Sequence, residues 1–269
     1  MSGMFIPGER LPPGFIDSIG RAGEVVETRP AATIVLMRDA TAGPELFLLR
    51  RNRSAGFVPG AWVFAGGRVD EADAEPAVWA GAEVPVEPPP EYWAAAVREL
   101  FEETGVLLAC NADGTFAPDA TAAAGTLWRE RLLGDRATIA EVLDALDARI
   151  AADRIVHFAH WITPVDEPRR YDTRFFLGAL PEGRLAIADA REMSAGVWLS
   201  PADALDRFAR GRLPMVFPTV RTIETLAAFG SVDAALEALR GRTVAPILPR
   251  LVRADGGVRL VVDEGAGGA

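Results

Sequence analysis

The pattern of apolar and polar residues changes at Ala31, where a stretch rich in proline and glycine gives way to short apolar runs. Residues 1–30 are predicted to form an arm without regular structure. Two apolar runs follow at 33–38 and 45–50, and residues 41–44 between them are of the kind that favours turns. This arrangement predicts a β-hairpin.

Further along the chain, the pattern predicts another strand and then a long helix. The strand covers 61–64, and the acidic, proline-rich residues 68–90 are expected to form a surface insertion. From Glu91 onward, apolar side chains recur with the period of a helix. Gly105 ends that helix, at a position where a left-handed residue is favoured.

The rest of the chain alternates between predicted helices and strands. Helices are expected at 126–152 (interrupted near Gly134), 201–210, 219–229 and 232–240, and strands at 155–163, 173–180 and 196–199. Locally paired strands with helices between them predict an α/β fold with a mixed sheet. We expect an arm (1–30), one domain (31–245, with the insertion 68–90, a helical elaboration at 120–153 and C-terminal helices at 200–240) and a tail (246–269).

Composition excludes several kinds of chemistry. All 28 basic residues are arginine, and without lysine there is no Walker-type phosphate loop, Schiff base or kinase β3 lysine. The two histidines and one cysteine cannot build a four-ligand Cys/His zinc site or a disulfide. A Ser-His-Asp triad remains possible in composition, although no G-x-S-x-G motif is present to hold its serine. Catalysis is therefore expected to depend on carboxylates, arginines and a metal.

The overall charge limits the partners. The formal net charge is −10 and the isoelectric point is near 4.9, which argues against nucleic acids and anionic membranes as partners. No apolar run approaches the roughly 20 residues that a membrane-spanning helix needs. The N-terminal residues lack the pattern of a signal peptide, and with one cysteine the expected location is the cytoplasm.

Three acids lie together on the helix that ends at Gly105. On a helix, Glu99, Glu102 and Glu103 fall within an arc of about 100°. Glutamate-rich faces are usually just solvated, but here Glu99 and Glu103 repel each other, and all three lie at the negative end of the helix dipole. Arg98 offsets only part of this charge. The pattern therefore predicts a bound cation, and oxygen ligands suit Mg²⁺ or Mn²⁺.

This segment resembles the second half of the sequence box of the Nudix hydrolase family. The box is G-x5-E-x7-R-E-U-x-E-E-x-G-U, where U is bulky and aliphatic, and residues 98–106 read R-E-L-F-E-E-T-G-V. Gly67 would be the opening glycine, but it precedes Arg98 by 31 positions instead of 14, so 17 residues are extra. Asp73 or Glu91 could take the position of the first glutamate. Ala65 replaces the usual proline before the glycine pair.

The resemblance implies a Nudix-type α/β/α sandwich and hydrolysis of a nucleoside diphosphate linked to another group. Its metal ligands would be Glu99, Glu102, Glu103 and the carbonyl of Gly66. Arg98 would orient a glutamate rather than touch the substrate. Magnesium or manganese would neutralise the pyrophosphate and activate the attacking water.

The general base is left open at this level. One of the box glutamates could serve, or a loop carboxylate such as Glu192, which precedes the strand at 196–199. Glu192 could equally be an ordinary solvated acid.

Several longer segments are similar to the peroxisomal acyl-coenzyme A diphosphatase branch of the family. These are LFLLRRNRSAGFVPGAWVFAGGRVD, RRYDTRFFLGAL and GRLPMVFPTVRTIETL. The similarity implies cleavage of coenzyme A or acyl-CoA to 3′,5′-ADP and (acyl)phosphopantetheine. Two alternatives are an ADP-ribose, NADH or nucleotide-sugar pyrophosphatase and a non-catalytic binding or sensor module. A homodimer would be in keeping with the family.

A phosphate-rich substrate needs cationic partners, and here they are expected to be arginines. Arg51, Arg53 and Arg174 are the candidates for phosphate or ribose contacts. His157 and His160 are expected to have structural roles. Trp79, in the insertion, could stack on an adenine, but packing against the domain is the favoured interpretation.

Overall fold

The elements of the computed structural model follow the predicted order. The structure describes residues 3–11, 13–20, 25–53, 58–80 and 82–262. The strands are β1 (Gly3–Pro7), β2 (Thr28–Ala40), β3 (Gly43–Arg51), β4 (Trp62–Val63), β5 (Ala65–Arg68), β6 (Ala109–Cys110), β7 (Arg149–Ile150), β8 (Ile155–Ile162), β9 (Arg170–Ala179), β10 (Met193–Leu199), β11 (Pro246–Ile247), β12 (Arg250–Ala254) and β13 (Gly257–Val261). The helices are α1 (Phe15–Ser18), α2 (Pro90–Thr104), α3 (Ala123–Leu132), α4 (Ile139–Ala145), α5 (Pro201–Ala209), α6 (Phe217–Leu226) and α7 (Val232–Leu239).

The chain divides into two compact units, and the larger one contains the predicted helix with its three glutamates. The larger unit is Ala31–Phe158 with Arg174–Arg242, and the smaller one is Met1–Pro30, Ala159–Thr173 and Thr243–Ala269. Strands β8 and β9 contribute residues to both units.

The larger unit is built on a sheet with the strand order β10-β3-β2-β9-β8, and β4 and β5 add to β3 and β2. Neighbouring residues of β2 pack on opposite faces, as in any strand. Ile34 and Leu36 join the core around α2, while Val35 and Met37 are buried on the other face. There α5 packs against β3 and β10, and α6 packs against α5.

The predicted hairpin is confirmed, because β2 and β3 pair antiparallel from Met37 opposite Leu46 to Ala40 opposite Gly43. In the smaller unit, β11 pairs in parallel with β8 at His160, so the sheet is mixed. These features confirm the predicted α/β class with helices around a mixed sheet.

Helix α2 is longer at its start than predicted and ends where expected. Pro90 occupies its first turn, where a missing N–H costs nothing. The Trp93 indole Nε1 donates to the carbonyl of Pro88 at 3.1 Å, which holds the entry of the chain. Gly105 ends the helix with φ of 78°, and its N–H donates to the carbonyl of Phe101 at 2.9 Å. Gly105 therefore has the left-handed conformation expected of it.

Most of the other predicted helices are present with small changes in their limits. The segment predicted to be helical from 126 to 152 contains two helices, α3 and α4, separated near Gly134 as expected. The prediction is wrong for its last part, because α4 ends at Ala145 and strand β7 follows. Thr138 accepts from the N–H of Glu141 at 3.3 Å and starts α4. At α5, the Ser200 hydroxyl accepts from the N–H of Asp203 at 3.1 Å, which is the predicted N-cap.

The interpretation of 68–90 as a surface insertion is wrong for its first part. Two 3₁₀ turns form there, Glu71–Ala74 and Pro76–Trp79. Asp73 is 0% exposed, and Trp79 is buried in the core cluster that surrounds α2. Trp79 thus packs against the domain, which was the favoured interpretation of this residue. This packing could not be predicted from the sequence, because the acids and prolines around these residues are typical of exposed loops.

The smaller unit corrects the expectation of an irregular arm and tail. Strand β1 pairs antiparallel with β13, which also pairs with β12, although residues 1–30 were expected to lack regular structure. Phe15 and Ile19 pack with Leu251 and Val258 under this small sheet. The partners lie some 250 positions apart along the chain, a separation that no local pattern reveals. Within the described residues, no helix is long and apolar enough to cross a bilayer.

Candidate active site

The C-terminal end of α2 is held by bonds to its last carbonyl groups. Arg129 on α3 donates from Nε and Nη2 to the carbonyl of Glu102, at 3.1 and 2.9 Å. The N–H groups of Asp189 and Ile187 donate to the carbonyls of Glu103 and Thr104, at 2.9 and 2.8 Å. Helix ends ordinarily leave these carbonyls without partners inside the helix. Here α3 and the segment 187–189 satisfy them and fix the helix end.

The glycine pair of β5 lies directly against this helix end. The N–H of Gly66 donates to Oε2 of Glu103 at 3.1 Å. A Cβ at Gly67 would clash with the carboxylate of Glu99, and one at Gly66 would clash with the backbone of Ala32. Gly66 therefore needs glycine because its backbone lies against strand β2, whereas a side chain at Gly67 would force the carboxylate of Glu99 to move.

Arg98 connects the acids of α2 to the first 3₁₀ turn. Its Nε and Nη2 donate to the two oxygens of Asp73, each at 2.9 Å, and Nη2 also donates to the carbonyl of Arg68 at 2.8 Å. Its Nη1 donates to Glu99 at 2.9 Å and to Glu102 at 3.3 Å. Arg98 thus donates hydrogen bonds to two of the glutamates that the resemblance implies it would orient.

These contacts decide between the two candidates for the first acid of the box. Asp73 forms a bidentate, buried pair with Arg98. Glu91 lies in the first turn of α2, seven residues or about 10 Å along the helix axis from Arg98. Asp73 therefore takes the position counted forward from Gly67, and the extra residues fall between Asp73 and Arg98.

Burial raises the pKa of all three glutamates of α2. Burial raises the pKa of Glu102 to about 8, against the lowering effect of Arg98 and with a further increase from Glu99. The pKa of Glu99 is raised by burial more than Arg98 lowers it, and the pKa of Glu103 is raised well above its usual value by burial and by Glu99. Nearby positive charge is insufficient for three ionised carboxylates.

Arg98 itself has the opposite balance. Burial alone would lower its pKa, but its hydrogen bond to Asp73 and the charges of Glu99, Asp73 and Glu102 raise the pKa above the usual arginine value. The guanidinium is thus a fixed positive charge among the acids. Asp73 compensates part of this positive charge, so less of it is left to stabilise the ionised glutamates.

The donor chemistry of this helix end fits a divalent cation. Glu99, Glu102 and Glu103 provide oxygen atoms that suit Mg²⁺ or Mn²⁺, and a cation would supply the charge that burial makes necessary. Among the residues the structure describes, however, no three acidic, histidine or cysteine side chains already form a metal cage. Glu99 and Glu102 point to Nη1 of Arg98, so they would turn from it to reach an ion.

Glu192 is connected to the end of α2 through the segment that precedes it and through its charge. Its charge raises the pKa of both Glu99 and Glu103, so its carboxylate is within electrostatic reach of both. The side chain is exposed, at the end of a segment that also supplies the N–H groups of Ile187 and Asp189 to α2. The role of Glu192 as general base stays a prediction.

The three candidate arginines lie in different surroundings. Arg51 ends β3 near Glu103, whose pKa its charge lowers, and among the described residues its buried Nε has no hydrogen-bond partner. Arg53 is exposed in the turn that follows. Arg174 on β9 stacks over the ring of Tyr92, 4.9 Å from its centroid, near the start of α2 and away from the glutamates. Arg51 is therefore the candidate that the structure places beside the acids.

Each of the two histidines has its own contact. In the larger unit, the His157 ring packs against Phe176, with centroids 5.5 Å apart. In the smaller unit, His160 Nε2 contacts Oδ1 of Asp172 at 2.6 Å.

Two residues of this region escaped the sequence analysis. Arg129 holds the end of α2, and Asn52 donates from Nδ2 to the carbonyl of Arg191 at 2.9 Å, next to Glu192. No periodicity singles out Arg129 from other surface arginines. Asn52 follows the arginines at the end of β3, and that position was the one available signal.

Comparisons with known proteins agree with this geometry. The model of the NUDT19 Nudix domain matches residues 89–226, slightly more than half of the chain. Nudix hydrolase 7 of Caenorhabditis elegans is 30% identical over 230 residues, which cover 85% of this chain and 70% of that protein. The human acyl-coenzyme A diphosphatase NUDT19 is 29% identical over 299 residues, covering 87% of this chain and 78% of that protein.

A solved structure supports the same assignment. The crystal structure of a NUDIX hydrolase from Alicyclobacillus acidocaldarius superposes with a TM-score of 0.69 at 29% identity, covering 82% of this chain and 100% of that one. The matched box, the position of Asp73 and these similarities agree with one another. The chain belongs to the Nudix hydrolase family, in its NUDT19 branch, and is a hydrolase that acts on pyrophosphate bonds.

Proposed function

We propose that this enzyme cleaves coenzyme A or acyl-CoA, in the presence of Mg²⁺ or Mn²⁺, to 3′,5′-ADP and (acyl)phosphopantetheine. Support for the substrate comes from relatives whose names state acyl-coenzyme A diphosphatase activity, human NUDT19 among them. The similarity covers 87% of the chain, so it includes the segments outside the box where specificity is expected to lie.

The observation that carries the chemistry is the buried helix end of Glu99, Glu102 and Glu103. Its three carboxylates are short of positive charge, and Arg51 adds a guanidinium whose buried Nε has no hydrogen-bond partner in the part of the chain that the structure describes. A divalent cation would supply the positive charge, and a pyrophosphate would supply an acceptor for Arg51. The site therefore suits an anionic, metal-dependent substrate.

Nudix hydrolases generally use divalent metal ions. In this chain the metal would be held by Glu99, Glu102 and Glu103, with the carbonyl of Gly66. When bound, the ion would neutralise pyrophosphate charge and lower the pKa of the attacking water. Gly66 donates its N–H to Glu103, so the strand and this ligand are already fixed relative to each other.

The protein side chains have distinct roles in the proposed reaction. Arg51 and Arg53 bind phosphate oxygens, and Arg98 holds the glutamates in place. Glu192 accepts the proton of the water as its oxygen bonds to phosphorus. The bond between that phosphorus and the bridging oxygen breaks, and the leaving phosphate keeps the electron pair. Arg174 lies near the start of α2 and is proposed to contact only a more distant part of the substrate.

A substrate panel tests this proposal. Purified protein is incubated with CoA, an acyl-CoA, ADP-ribose, NADH and diadenosine polyphosphates, with and without Mg²⁺, and products are separated by chromatography. We expect 3′,5′-ADP from CoA and acyl-CoA, with Mg²⁺ only. Cleavage of ADP-ribose with CoA intact would overturn the substrate assignment. Absence of hydrolysis throughout would favour a non-catalytic binding module.

A further inference from the structure

The strand that leads away from Glu192 begins with an irregularity. Strand β10 pairs antiparallel with β3, but the register shifts between Met193 and Ala195, where a β-bulge lies. Bulges bend a strand and redirect its side chains, and they are frequent beside active sites. This bulge follows Glu192 directly, so it sets the direction in which that residue leaves the sheet.

Asn52 continues the contact between the two strands beyond this bulge. Its backbone N–H donates to the carbonyl of Glu192 at 2.9 Å, and its Nδ2 donates to the carbonyl of Arg191 at 2.9 Å. One residue thus bonds two consecutive peptide groups at the base of the Glu192 side chain. Asn52 also follows Arg51, so the residue that holds Glu192 is next to the arginine near Glu103.

The other side of the same segment is bonded to α2. The N–H groups of Ile187 and Asp189 donate to the carbonyls of Thr104 and Glu103, and the Asp189 side chain accepts from the N–H of Arg191 at 2.9 Å. Segment 187–192 is therefore bonded to α2 at its start and to Asn52 at its end. At the Arg191 end, the side-chain bond from Asn52 can be removed by a substitution.

We propose that Asn52 is a positioning residue that aims the carboxylate of Glu192 at the glutamates of α2. The inference rests on the proposed function, in which Glu192 is the base. An exposed glutamate on a free loop would sample many directions. Two bonds to its own and the preceding peptide restrict those directions, and the reaction gains because proton transfer needs close, oriented groups.

A double-mutant cycle tests the proposal. Asn52→Ala, Glu192→Gln and the double variant are assayed with Mg²⁺ and the substrate that the wild-type enzyme cleaves fastest. We expect Glu192→Gln to lower kcat about 10²-fold, as for loss of a general base. Asn52→Ala should lower kcat about tenfold with KM changed less than twofold, because orientation rather than binding is lost. In the Glu192→Gln background, the same substitution should change kcat less than twofold.

Two further measurements separate positioning from stability. Amide hydrogen exchange of segment 187–193 should be faster in Asn52→Ala, and Asn52→Ser, too short to reach Arg191, should repeat the loss of kcat. Asn111→Ala is the matched control, because Asn111 also donates from Nδ2 to carbonyls, those of Leu146 and Asp147 at 3.1 and 2.7 Å. It should lower the melting temperature without changing kcat.

The outcomes are distinct. Additive effects of Asn52→Ala and Glu192→Gln would overturn the positioning role, as would unchanged kcat in Glu192→Gln or in both Asn52 variants. In each of these cases the wild-type enzyme still hydrolyses its substrate, so the proposed substrate and reaction stand, although unchanged kcat in Glu192→Gln would also remove Glu192 as the base. A wild-type protein inactive on the whole panel would overturn the proposed function, and this inference with it.

Discussion

Two buried acids close to Arg98 and Glu99 have very different partners. Asp73 is 0% exposed and accepts two bonds from Arg98 and one from the N–H of Asp70, at 2.9, 2.9 and 2.8 Å. Glu103 is 4% exposed and accepts from the N–H of Gly66, while its pKa is raised well above the usual value by burial and by Glu99. The first acid is fully matched in charge, and the second is not.

This difference distinguishes an acid with a structural role from acids whose environment suits a bound ligand. Removing one partner of a buried ion pair strongly destabilises the folded protein, because the other charge stays buried without compensation. A buried carboxylate without a matching cation is unfavourable in the folded protein, and such groups are concentrated at functional sites. Asp73 should therefore matter for stability, and Glu99, Glu102 and Glu103 for activity.

The largest expected effect is on activity. Glu102→Gln should lower kcat about 10³-fold, since loss of a metal ligand removes several kcal/mol of transition-state stabilisation. Its free energy of unfolding should not fall, because burial raises the pKa of the Glu102 carboxyl to about 8 and glutamine has no charge to bury. Steady-state kinetics and urea unfolding measure both quantities. Glu141→Gln, in the N-terminal turn of α4, is the control, and equal kcat values in the two variants would contradict the comparison.

The next effect is on stability. Asp73→Asn should lower the free energy of unfolding by about 3 kcal/mol, because it leaves the buried Arg98 without its bidentate partner. Urea unfolding followed by circular dichroism measures this change. Asp70→Asn is the matched control, since Asp70 is 55% exposed and 3.6 Å from Arg98, and its loss should cost under about 1 kcal/mol. Similar losses in both variants would mean that Asp73 is not the main partner of Arg98.

A metal ion should stabilise the folded protein through the acids of α2 alone. At a hundred times its Kd, a ligand of the folded state adds about 2.7 kcal/mol, or a rise in Tm of about 5 °C for a chain of this size. Thermal unfolding with Mg²⁺, Mn²⁺ or EDTA measures the shift without any substrate. The shift should vanish in Glu102→Gln and remain in Asp70→Asn. A full shift in Glu102→Gln would place the ion elsewhere.

The sequence predicted most of the fold of the larger unit because its signals are local. The limits of α2, including Gly105, and the break near Gly134 follow from periodicity and capping, which depend on residues within a turn or two. The pairing of β1 with β13 could not be predicted, since its partners are distant in sequence and each is a short run. The prediction that residues 68–90 lie on the surface was wrong for a similar reason, because the burial of Asp73 depends on Arg98, which lies beyond the insertion.

The sequence predicted the residues of the site better than it predicted the contacts between them. Glu99, Glu102 and Glu103 follow from a nine-residue match, whereas the choice between Asp73 and Glu91 needed the geometry of Arg98. The contribution of Arg129 could not be predicted either, because a side chain that bonds a carbonyl on another helix leaves no mark in the sequence pattern.

The smallest expected effect is on KM, and it compares a half-buried arginine, Arg51, with its exposed neighbour Arg53. Arg51→Gln should raise KM about tenfold. Its Nε is buried near Glu103 without a hydrogen-bond partner among residues 58–80, 82–262 and the other described ranges, and a charge-assisted bond to phosphate is worth about 1.5 kcal/mol or more. Arg53→Gln should change KM less than twofold, since a phosphate contact made by an exposed arginine contributes little. Initial rates over a range of CoA concentrations measure both. Equal changes in KM would show that burial at the end of β3 does not select the phosphate partner.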